Sequence, residues 1–270
     1  MKAIVKPTAQ LNGVINALSS KNYTTRYMLA AALSEGTSVL RYPAHSEDSD
    51  AMRRCLRDLG AVLEEEGDTM TITGFGRSPK HPKELNVGNA GAVLRFLMSV
   101  AAFCPDVTFV NTYPDSLGKR PHDDLIEALQ SMGVEIEHNN GKLPIRIRGG
   151  RPRGGEICVS GKVSSQYLSS LLFMTPLLDE DSVIRVKHEL KSKVVIGQTL
   201  GPGRLDGMVR RGGAHLLEER PASLERADVA RVVRDRGAGQ LSEALDLAAP
   251  VRMEDVDCQV RSERRQHPPG

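Results

Sequence analysis

The chain contains no tryptophan, and aromatic residues make up only 4% of its 270 residues. Hydrophobic residues make up 40%, which is enough to fill the core of one large or two medium globular domains. No stretch reaches the roughly 18 consecutive apolar residues that a membrane-spanning helix needs. The first residues also lack the apolar core of a secretory signal peptide. The sequence therefore predicts a soluble, cytoplasmic protein without a membrane partner.

The sequence also lacks a strong net charge, because 36 basic and 34 acidic residues give a formal net charge of +2. Such a balance provides no general field for binding nucleic acid, so any basic chemistry must be local. The four cysteines, Cys55, Cys104, Cys158 and Cys258, have no CxxC spacing. We expect them to be reduced thiols rather than a disulfide or zinc framework, and we expect no metal site and no nucleic-acid partner.

Three polar loops in the sequence run directly into patterns typical of buried helices. They are Ser20-Lys21-Asn22-Tyr23-Thr24-Thr25-Arg26, Gly88-Asn89-Ala90-Gly91-Ala92-Val93-Leu94-Arg95 and Ser160-Gly161-Lys162-Val163-Ser164-Ser165-Gln166-Tyr167-Leu168. A helix start presents unpaired backbone N–H groups and the positive end of the helix dipole, both of which favour a bound anion. An ordinary serine N-cap is the alternative explanation for any single start. Three similar starts in one chain predict that they converge on one anionic ligand.

Two stretches of the chain repeat the same order of predicted elements. Residues 24–74 predict helix, strand, helix, strand and strand, and residues 92–148 predict the same order. Corresponding residues lie 73 positions apart, namely Met52 and Leu125, Leu56 and Leu129, Leu59 and Met132, and Gly60 and Gly133. A period of this length indicates a repeated supersecondary unit. We therefore predict an α/β (α+β) fold of repeated βαβαββ units, with units at about residues 12–74, 75–150 and 151–200.

Hydrophobic periodicity places the elements within these units. The predicted helices are Thr24 to Leu33, Asp48 to Leu59, Ala92 to Phe103 and His122 to Met132. The predicted strands are Thr37 to Tyr42, Ala61 to Glu64, Thr69 to Thr73, Val107 to Asn111, Val134 to Glu137 and Pro144 to Arg148. The first helices of the units, at Thr24, Ala92 and Ser165, are apolar on nearly every side, so we expect them to pack near one another in the middle of the domain.

The third unit begins where the repeat predicts it, but it is incomplete. It predicts a strand at Glu156 to Val159, a helix from Ser165, a strand at Ser182 to Lys187 and a second helix that opens near Lys191 to Lys193. The repeat then requires a closing hairpin, and no such pattern follows. We therefore expect this sheet to end with an unpaired edge.

The composition changes abruptly near residue 200. Residues 201–270 contain 12 arginines and no lysine, whereas residues 1–200 contain 11 lysines and 13 arginines. The tail also lacks isoleucine, phenylalanine, tyrosine, threonine and asparagine, which is typical of a changed reading frame or a fusion junction rather than of a domain boundary. We expect short helices at Leu224 to Arg234 and Ser242 to Ala248, and disorder at the end, from Arg261 to Gly270. Its 12 acidic residues balance the 12 arginines, so the tail is not a nucleic-acid-binding arm.

The polar segments occur in the order and approximate spacing of a known enzyme family. Lys21 and Arg26, the turn from Gly88 to Gly91, Arg120-Pro121 and Ser164-Ser165-Gln166 resemble bacterial 5-enolpyruvylshikimate-3-phosphate synthases, also called 3-phosphoshikimate 1-carboxyvinyltransferases. The resemblance covers residues 1 to about 200, which is most of one half of a two-domain enzyme. It implies transfer of the enolpyruvyl group of phosphoenolpyruvate to the 5-hydroxyl of shikimate 3-phosphate, within aromatic amino acid biosynthesis. It implies no cofactor.

The resemblance also implies roles for individual residues. Lys21 and Asn22 would lie beside the substrates, and Arg26 would bind the shikimate carboxylate. The 3-phosphate and the ring would be held by Ser164, Ser165, Gln166 and Ser192. Asn89, Gly91 and Arg120 would form the phosphoenolpyruvate site. These residue types suit the chemistry, because guanidinium groups bind carboxylate and phosphate in a bidentate manner.

Two positions depart from the family pattern, and one group of residues is missing. Asn22 stands where a serine is common, and Ala92 stands where a threonine is common; each change alters local affinity without removing a charge. The family's acid and base carboxylates come from its second domain, and no segment after Gly201 matches that domain. We therefore assign no catalytic residue to this chain and expect it to be inactive alone.

Three alternatives differ from this interpretation. A sister enzyme, the UDP-N-acetylglucosamine enolpyruvyl transferase, shares the fold, but Ser164-Ser165-Gln166 and Arg120-Pro121 favour the shikimate enzyme. A nucleotide-binding P-loop fails because Gly155 and Gly161 are six positions apart instead of five, and Val163 replaces the required serine or threonine. A non-catalytic anion-binding half-enzyme is the third alternative. The sequence does not determine the oligomeric state.

Overall fold

The computed structural model describes residues 18–188, 193–200, 209–211 and 229–232. The first unit contains α1 (Lys21–Ala32), β1 (Thr37–Arg41), α2 (Glu47–Asp58), β2 (Val62–Glu66) and β3 (Thr69–Thr73). The second contains β4 (Glu84–Asn86), α3 (Gly91–Ala101), β5 (Val107–Val110), α4 (Asp123–Ser131), β6 (Glu135–Asn139) and β7 (Lys142–Arg148). The third contains β8 (Gly155–Ser160), α5 (Ser165–Met174), β9 (Ser182–Lys187) and α6 (Lys193–Leu200). Two short strands follow, β10 (Val209–Arg211) and β11 (Val229–Val232).

Each unit contributes the strands of one sheet, and β10 and β11 join the sheets of the first and third units. The strand orders are β10-β1-β3-β2, β4-β5-β7-β6 and β11-β9-β8. The middle strands β1 and β5 pair antiparallel with the last strands, β3 and β7. The opening strands β4 and β8 pair parallel with β5 and β9. The predicted fold of repeated βαβαββ-like units is confirmed.

The 73-residue period also holds in detail. Met52 and Leu125 are both fully buried, as are Leu56 and Leu129. Gly60 and Gly133 follow α2 and α4 with φ angles of 104° and 87°, a left-handed conformation that ends a helix at little cost only for glycine. The second helix of each unit therefore has the same buried positions and is followed by a glycine in the same conformation.

The first helices of the units lie together in the middle, as predicted. Phe96 on α3 packs edge-on against Phe173 on α5, with ring centroids 5.5 Å apart. The guanidinium of Arg26 on α1 lies 5.0 Å from the centroid of the Phe96 ring. The packing differs from the prediction in one respect, because the buried faces also carry polar groups. The buried hydroxyls of Ser99 and Ser170, for example, lie 2.6 Å apart between α3 and α5.

The structure corrects two predictions about the tail and adds two strands. Residues Val229–Val232 form a strand where we predicted a helix from Leu224 to Arg234; two of these four residues are β-branched, which favours a strand beside an open sheet edge. This strand pairs antiparallel with β9, so the predicted unpaired edge is wrong. The three-residue strands β4 and β10 had no predicted counterpart. The expected helix at Ser242 to Ala248 and the terminal Arg261 to Gly270 lie outside the described residues.

The helices are short relative to a lipid bilayer. The longest described ones, α1 and α2, have 12 residues each. No helix in the described part of the chain is long and apolar enough to span a membrane.

Candidate functional site

A glycine turn leads into α3 and places two arginines beside its first residue. Gly88 has a φ of 56°, and its backbone N–H donates to Asn86 Oδ1 at 2.9 Å. The Asn89 side chain accepts from the Leu117 N–H at 3.2 Å and so ties the turn to the loop that carries Arg120. A Cβ atom on Gly91 would lie 3.5 Å from Arg95 Nη1 and 3.6 Å from Arg120 Nη1. The helix start and both guanidinium groups therefore border one small space, which we call the arginine pocket.

The N-terminus of α5 reaches the same pocket through Arg95. Arg95 Nη1 donates to Gln166 Oε1 at 2.5 Å, and its guanidinium carbon lies 5.4 Å from the centroid of the Tyr167 ring. The Tyr167 hydroxyl in turn donates to the carbonyl of Pro121 at 3.1 Å. Gln166, Tyr167 and the Arg120-Pro121 segment thus meet around the start of α3.

The arginine pocket is positively charged and lacks an internal counterion. None of the ion pairs among the described residues involves Arg95 or Arg120. Burial lowers the pKa of Arg95, and the nearby Arg120 lowers it further. The Arg95 Nε group is buried without a hydrogen-bond partner. Because an uncompensated buried cation is costly, this arrangement favours a bound anion.

His122 lies behind the pocket as a neutral imidazole. Its side chain is fully buried, and neither ring nitrogen has a hydrogen-bond partner. Burial lowers the pKa of His122 to about 4, with smaller contributions from Arg95 and Arg120. His122 therefore adds no positive charge at neutral pH.

Ser164 and Ser165 begin α5 as the sequence predicted. Ser164 is the N-cap, and its hydroxyl accepts from the Gln166 N–H at 3.2 Å. Ser165 is the first helical residue, and the first turn contains no acidic side chain. The ordinary N-cap alternative is therefore correct for Ser164, and the helix start still offers its remaining N–H groups to an anion.

Lys21 and Asn22 lie at the start of α1 and contact a different neighbour. The Lys21 ammonium pairs with Asp48 Oδ2 of α2 at 2.9 Å, and its side chain is 56% exposed. The Asn22 carbonyl accepts from Arg26 Nη1 at 3.0 Å. Among the described residues, no hydrogen bond or ion pair joins Lys21 to the arginine pocket. The convergence of the three helix starts is thus direct for α3 and α5, whereas α1 meets them deeper in the core.

Arg26 provides that deeper contact. Only 2% of its surface is exposed, so Arg26 is not a solvated surface residue. Arg26 Nε donates to Thr199 Oγ1 at 2.9 Å, and burial lowers the pKa of Arg26 to about 10. Arg120, in contrast, is exposed. Ser192 lies outside the described residues.

The sequence did not identify several residues that shape this site. Arg95 had a usable signal, because a residue four positions after Gly91 faces the same side of the helix. Asp48, His122 and Thr199 had none, because their roles depend on contacts with elements that are distant in the sequence. Tyr167 begins an apolar run in the sequence, and this pattern indicates a buried helix but not a contact with Arg95.

Comparisons with known proteins agree with this geometry. The family model of EPSP synthase (3-phosphoshikimate 1-carboxyvinyltransferase) matches residues 5–201. A 3-phosphoshikimate 1-carboxyvinyltransferase of Deinococcus radiodurans is 52% identical over 197 residues, covering 73% of this chain and 45% of the relative. One from Methanosphaera stadtmanae is 37% identical over 200 residues, covering 73% and 47%.

A solved structure gives the same result. The EPSP synthase of Acinetobacter baumannii superposes with a TM-score of 0.59 at 25% identity, covering 66% of this chain and 41% of the other. The chain thus spans less than half the length of these relatives, and the family match ends at residue 201.

Proposed function

Because the chain belongs to the EPSP synthase family, we propose that its first 200 residues form the substrate-binding half of an enolpyruvyl transferase. The complete reaction moves the enolpyruvyl group of phosphoenolpyruvate to the 5-hydroxyl of shikimate 3-phosphate and releases inorganic phosphate. The observation that carries this proposal is the arginine pocket, where Arg95 and Arg120 border Gly91 without a carboxylate partner among the described residues.

The pocket suits the smaller, multiply anionic substrate. Phosphoenolpyruvate carries a carboxylate and a phosphate, and guanidinium groups and helix N–H groups bind both. Gly91 leaves room for the ligand because it has no Cβ between the two arginines. Asn89 supports the turn through Leu117, and Gln166 orients Arg95.

Shikimate 3-phosphate would lie across the starts of α1 and α5. Ser164 and Ser165 present hydroxyl and backbone donors for its phosphate, and we place Ser192 with them. Lys21 would exchange its ion pair with Asp48 for a contact with substrate, and Asn22 would lie beside it. Arg26 would receive the carboxylate.

Calorimetric titration with shikimate 3-phosphate tests this proposal. We expect weak, salt-sensitive binding, because the contacts are ionic. Lys21→Ala and Ser164→Ala should each weaken binding by roughly 1.5 to 3 kcal/mol, the range for hydrogen bonds to charged groups. Unchanged affinity in both variants would show that the wrong residues have been chosen.

Ser164→Ala also removes a helix cap, so it needs a matched control. Ser46 is also a helix N-cap, at the start of α2, where its hydroxyl accepts from the Ser49 N–H at 3.2 Å. Ser46→Ala should cost a similar stability, about 1 kcal/mol, and leave affinity for shikimate 3-phosphate unchanged. A loss of affinity in this variant would mean that cap removal, rather than ligand contact, explains the effect of Ser164→Ala.

A non-catalytic anion-binding protein is the second candidate, because the chain covers only 45% of its Deinococcus radiodurans relative. Binding without turnover would support it. The UDP-N-acetylglucosamine enolpyruvyl transferase is less favoured, because the matched relatives named above are shikimate enzymes. Titration with the uridine nucleotide sugar separates these two families.

We also propose that residues 201–270 derive from a changed reading frame. The family match ends at residue 201, eight positions after Lys193, the last lysine of the sequence. The nucleotide sequence around codon 200, read in all frames, tests this. A continuation of the third unit in another frame is the expected result, and its absence from every frame would refute the proposal.

A reducing compartment such as the cytoplasm suits the described cysteines. Cys55 and Cys104 are buried, and burial raises the pKa of their thiols to about 12 and about 11.

We propose no cofactor, because every role in binding the two substrates is assigned to a protein side chain or backbone group.

A further inference from the structure

Arg26 is a buried cation whose described partners are all neutral. Its Nε donates to the Thr199 hydroxyl, its Nη1 donates to the Asn22 carbonyl, and its guanidinium lies over the Phe96 ring. No ion pair among the described residues includes it. The Nη2 group is buried and has no hydrogen-bond partner. Hydrogen bonds therefore hold the Nε and Nη1 groups of this guanidinium, whereas Nη2 has no hydrogen-bond partner among the described residues.

Thr199 holds the guanidinium in a defined direction. Its hydroxyl donates to Ser169 Oγ at 2.8 Å, and a hydroxyl has only one proton to donate. The oxygen that faces Arg26 Nε must therefore act as an acceptor. Thr199 and Ser169 are both buried, so α5 and α6 together fix this acceptor under α1.

We propose that Thr199 is a positioning residue, which orients the Arg26 guanidinium so that Nη2 is left to receive the carboxylate of the substrate. The inference rests on the proposed function, in which Arg26 binds the carboxylate of shikimate 3-phosphate. Without the Thr199 hydroxyl, Nε would also lack a partner, and the guanidinium would turn to recover a hydrogen bond.

A comparison of two ligands distinguishes an effect of Thr199 on the orientation of Arg26 from an effect on the stability of the fold. Shikimate 3-phosphate should bind the unaltered chain more tightly than its carboxamide, in which a neutral amide replaces the carboxylate. Thr199→Val, which removes the hydroxyl at similar volume, should reduce this preference about tenfold, the scale of one hydrogen bond to a charged group. Thr199→Ser should restore it. A structural defect would instead weaken both ligands equally and leave the preference intact, which would overturn the proposal.

Ser99→Ala provides the matched control. Ser99 is a fully buried hydroxyl in the same helical layer and contacts Ser170 at 2.6 Å, away from Arg26. Its removal should not alter the preference for the carboxylate. An equal loss of preference in Ser99→Ala and Thr199→Val would overturn a specific role for Thr199.

Nuclear magnetic resonance tests the positioning without any ligand. The Arg26 Nε–H proton, assigned by its loss in Arg26→Lys, should exchange slowly in the unaltered chain and in Thr199→Ser, and rapidly in Thr199→Val. If Thr199→Val does not fold, Ser169→Ala should show faster exchange than Ser99→Ala. If shikimate 3-phosphate does not bind at all, the proposed function fails, yet the exchange result still decides the role of Thr199. Equal exchange rates of the Arg26 Nε–H proton in Thr199→Val and Thr199→Ser would refute the positioning role of Thr199.

Discussion

At the scale of single residues, three buried nitrogen-containing side chains set the electrostatics of this molecule. Arg26 and Arg95 remain charged in the interior with neutral partners, and His122 remains neutral beside the arginine pocket. A buried cation without a carboxylate partner is unfavourable by itself. The presence of two such cations, Arg26 and Arg95, in the helices that meet at the site is consistent with a site that an anionic ligand completes.

The buried His122 predicts a loss of stability in mild acid. Its pKa falls from the usual 6.5 to about 4 in the folded state, so the unfolded state binds more protons below pH 6.5, and stability falls as the pH drops toward 4. Relative to His122→Met, the unaltered chain should lose about 2 kcal/mol more unfolding free energy between pH 7 and pH 5. Urea titrations at both pH values measure this. Parallel losses in the two proteins would show that His122 has the same pKa in the folded and the unfolded state.

The absence of a side chain at Gly91 predicts a selective binding defect. In Gly91→Ala the new methyl group would lie 3.5 Å from Arg95 Nη1 and 3.6 Å from Arg120 Nη1, in the space proposed for phosphoenolpyruvate. We expect affinity for phosphoenolpyruvate to fall about tenfold or more, which corresponds to at least 1.4 kcal/mol, while shikimate 3-phosphate still binds. Calorimetry measures both affinities.

Gly197→Ala serves as the control for that change, because it also replaces a helical glycine but has no atom within 4 Å of the new Cβ. Neither variant should lower the melting temperature, since alanine is the better helix former. An unaltered phosphoenolpyruvate affinity in Gly91→Ala would place that ligand elsewhere.

At the scale of elements, periodicity predicted most helices and strands of the three units, and two strands, Thr69–Thr73 and Ser182–Lys187, have the predicted bounds. The three-residue β4 was missed because it has only one buried side chain and so shows no alternation. The strand at Val229–Val232 was missed because local pattern favoured a helix, while pairing with β9 decides its conformation. The site followed the same rule, since motifs pointed to Gly91 and Gln166, but contacts between separate helices create the roles of Asp48 and Thr199.

The pairing of β11 with β9 predicts a local change in amide exchange. In a chain ending at residue 200, β9 keeps β8 as its neighbour but loses the strand on its other side. Alternate amides of Ser182–Lys187 should then exchange faster, because backbone groups on a sheet edge are open to water. Hydrogen–deuterium exchange followed by mass spectrometry or NMR measures this.

The strand β5 is the internal reference for that experiment, because it lies between β4 and β7 in both chains. Its exchange should be the same with and without the tail. If β9 also exchanges at the same rate in both, the tail does not pair with it in solution.

At the scale of the whole molecule, three sheets surround a core made from the first helices of three units. The starts of α3 and α5 meet directly, and Arg26 connects α1 to Phe96 and Thr199 beneath them. This design gives one face that carries the arginine pocket. The family's two-domain arrangement would cover such a face with a second half, and this chain spans 45% of its Deinococcus radiodurans relative.

We therefore expect the 270-residue chain, tested by itself, to show no measurable enolpyruvyl transfer. Rate in this reaction depends on closing two half-sites around two anions, which excludes water and aligns the hydroxyl with the enol carbon. Positioning of this kind accounts for roughly 7 to 11 kcal/mol of a barrier. The transfer also needs an acid and a base, and the family resemblance places both in the second half of the enzyme, outside the match at residues 5–201.

A phosphate-release assay with both substrates measures that activity, with Arg120→Ala as the control for background hydrolysis. Equal release by the two proteins is the expected result, since one open half-site leaves phosphoenolpyruvate solvated on one side. Release above the Arg120→Ala level would contradict the prediction. It would mean that residues 201–270 or a second copy of the chain supply the missing acid, base and cations. Dilution of the protein would then distinguish these sources, because only activity that depends on a second copy falls more steeply than the protein concentration.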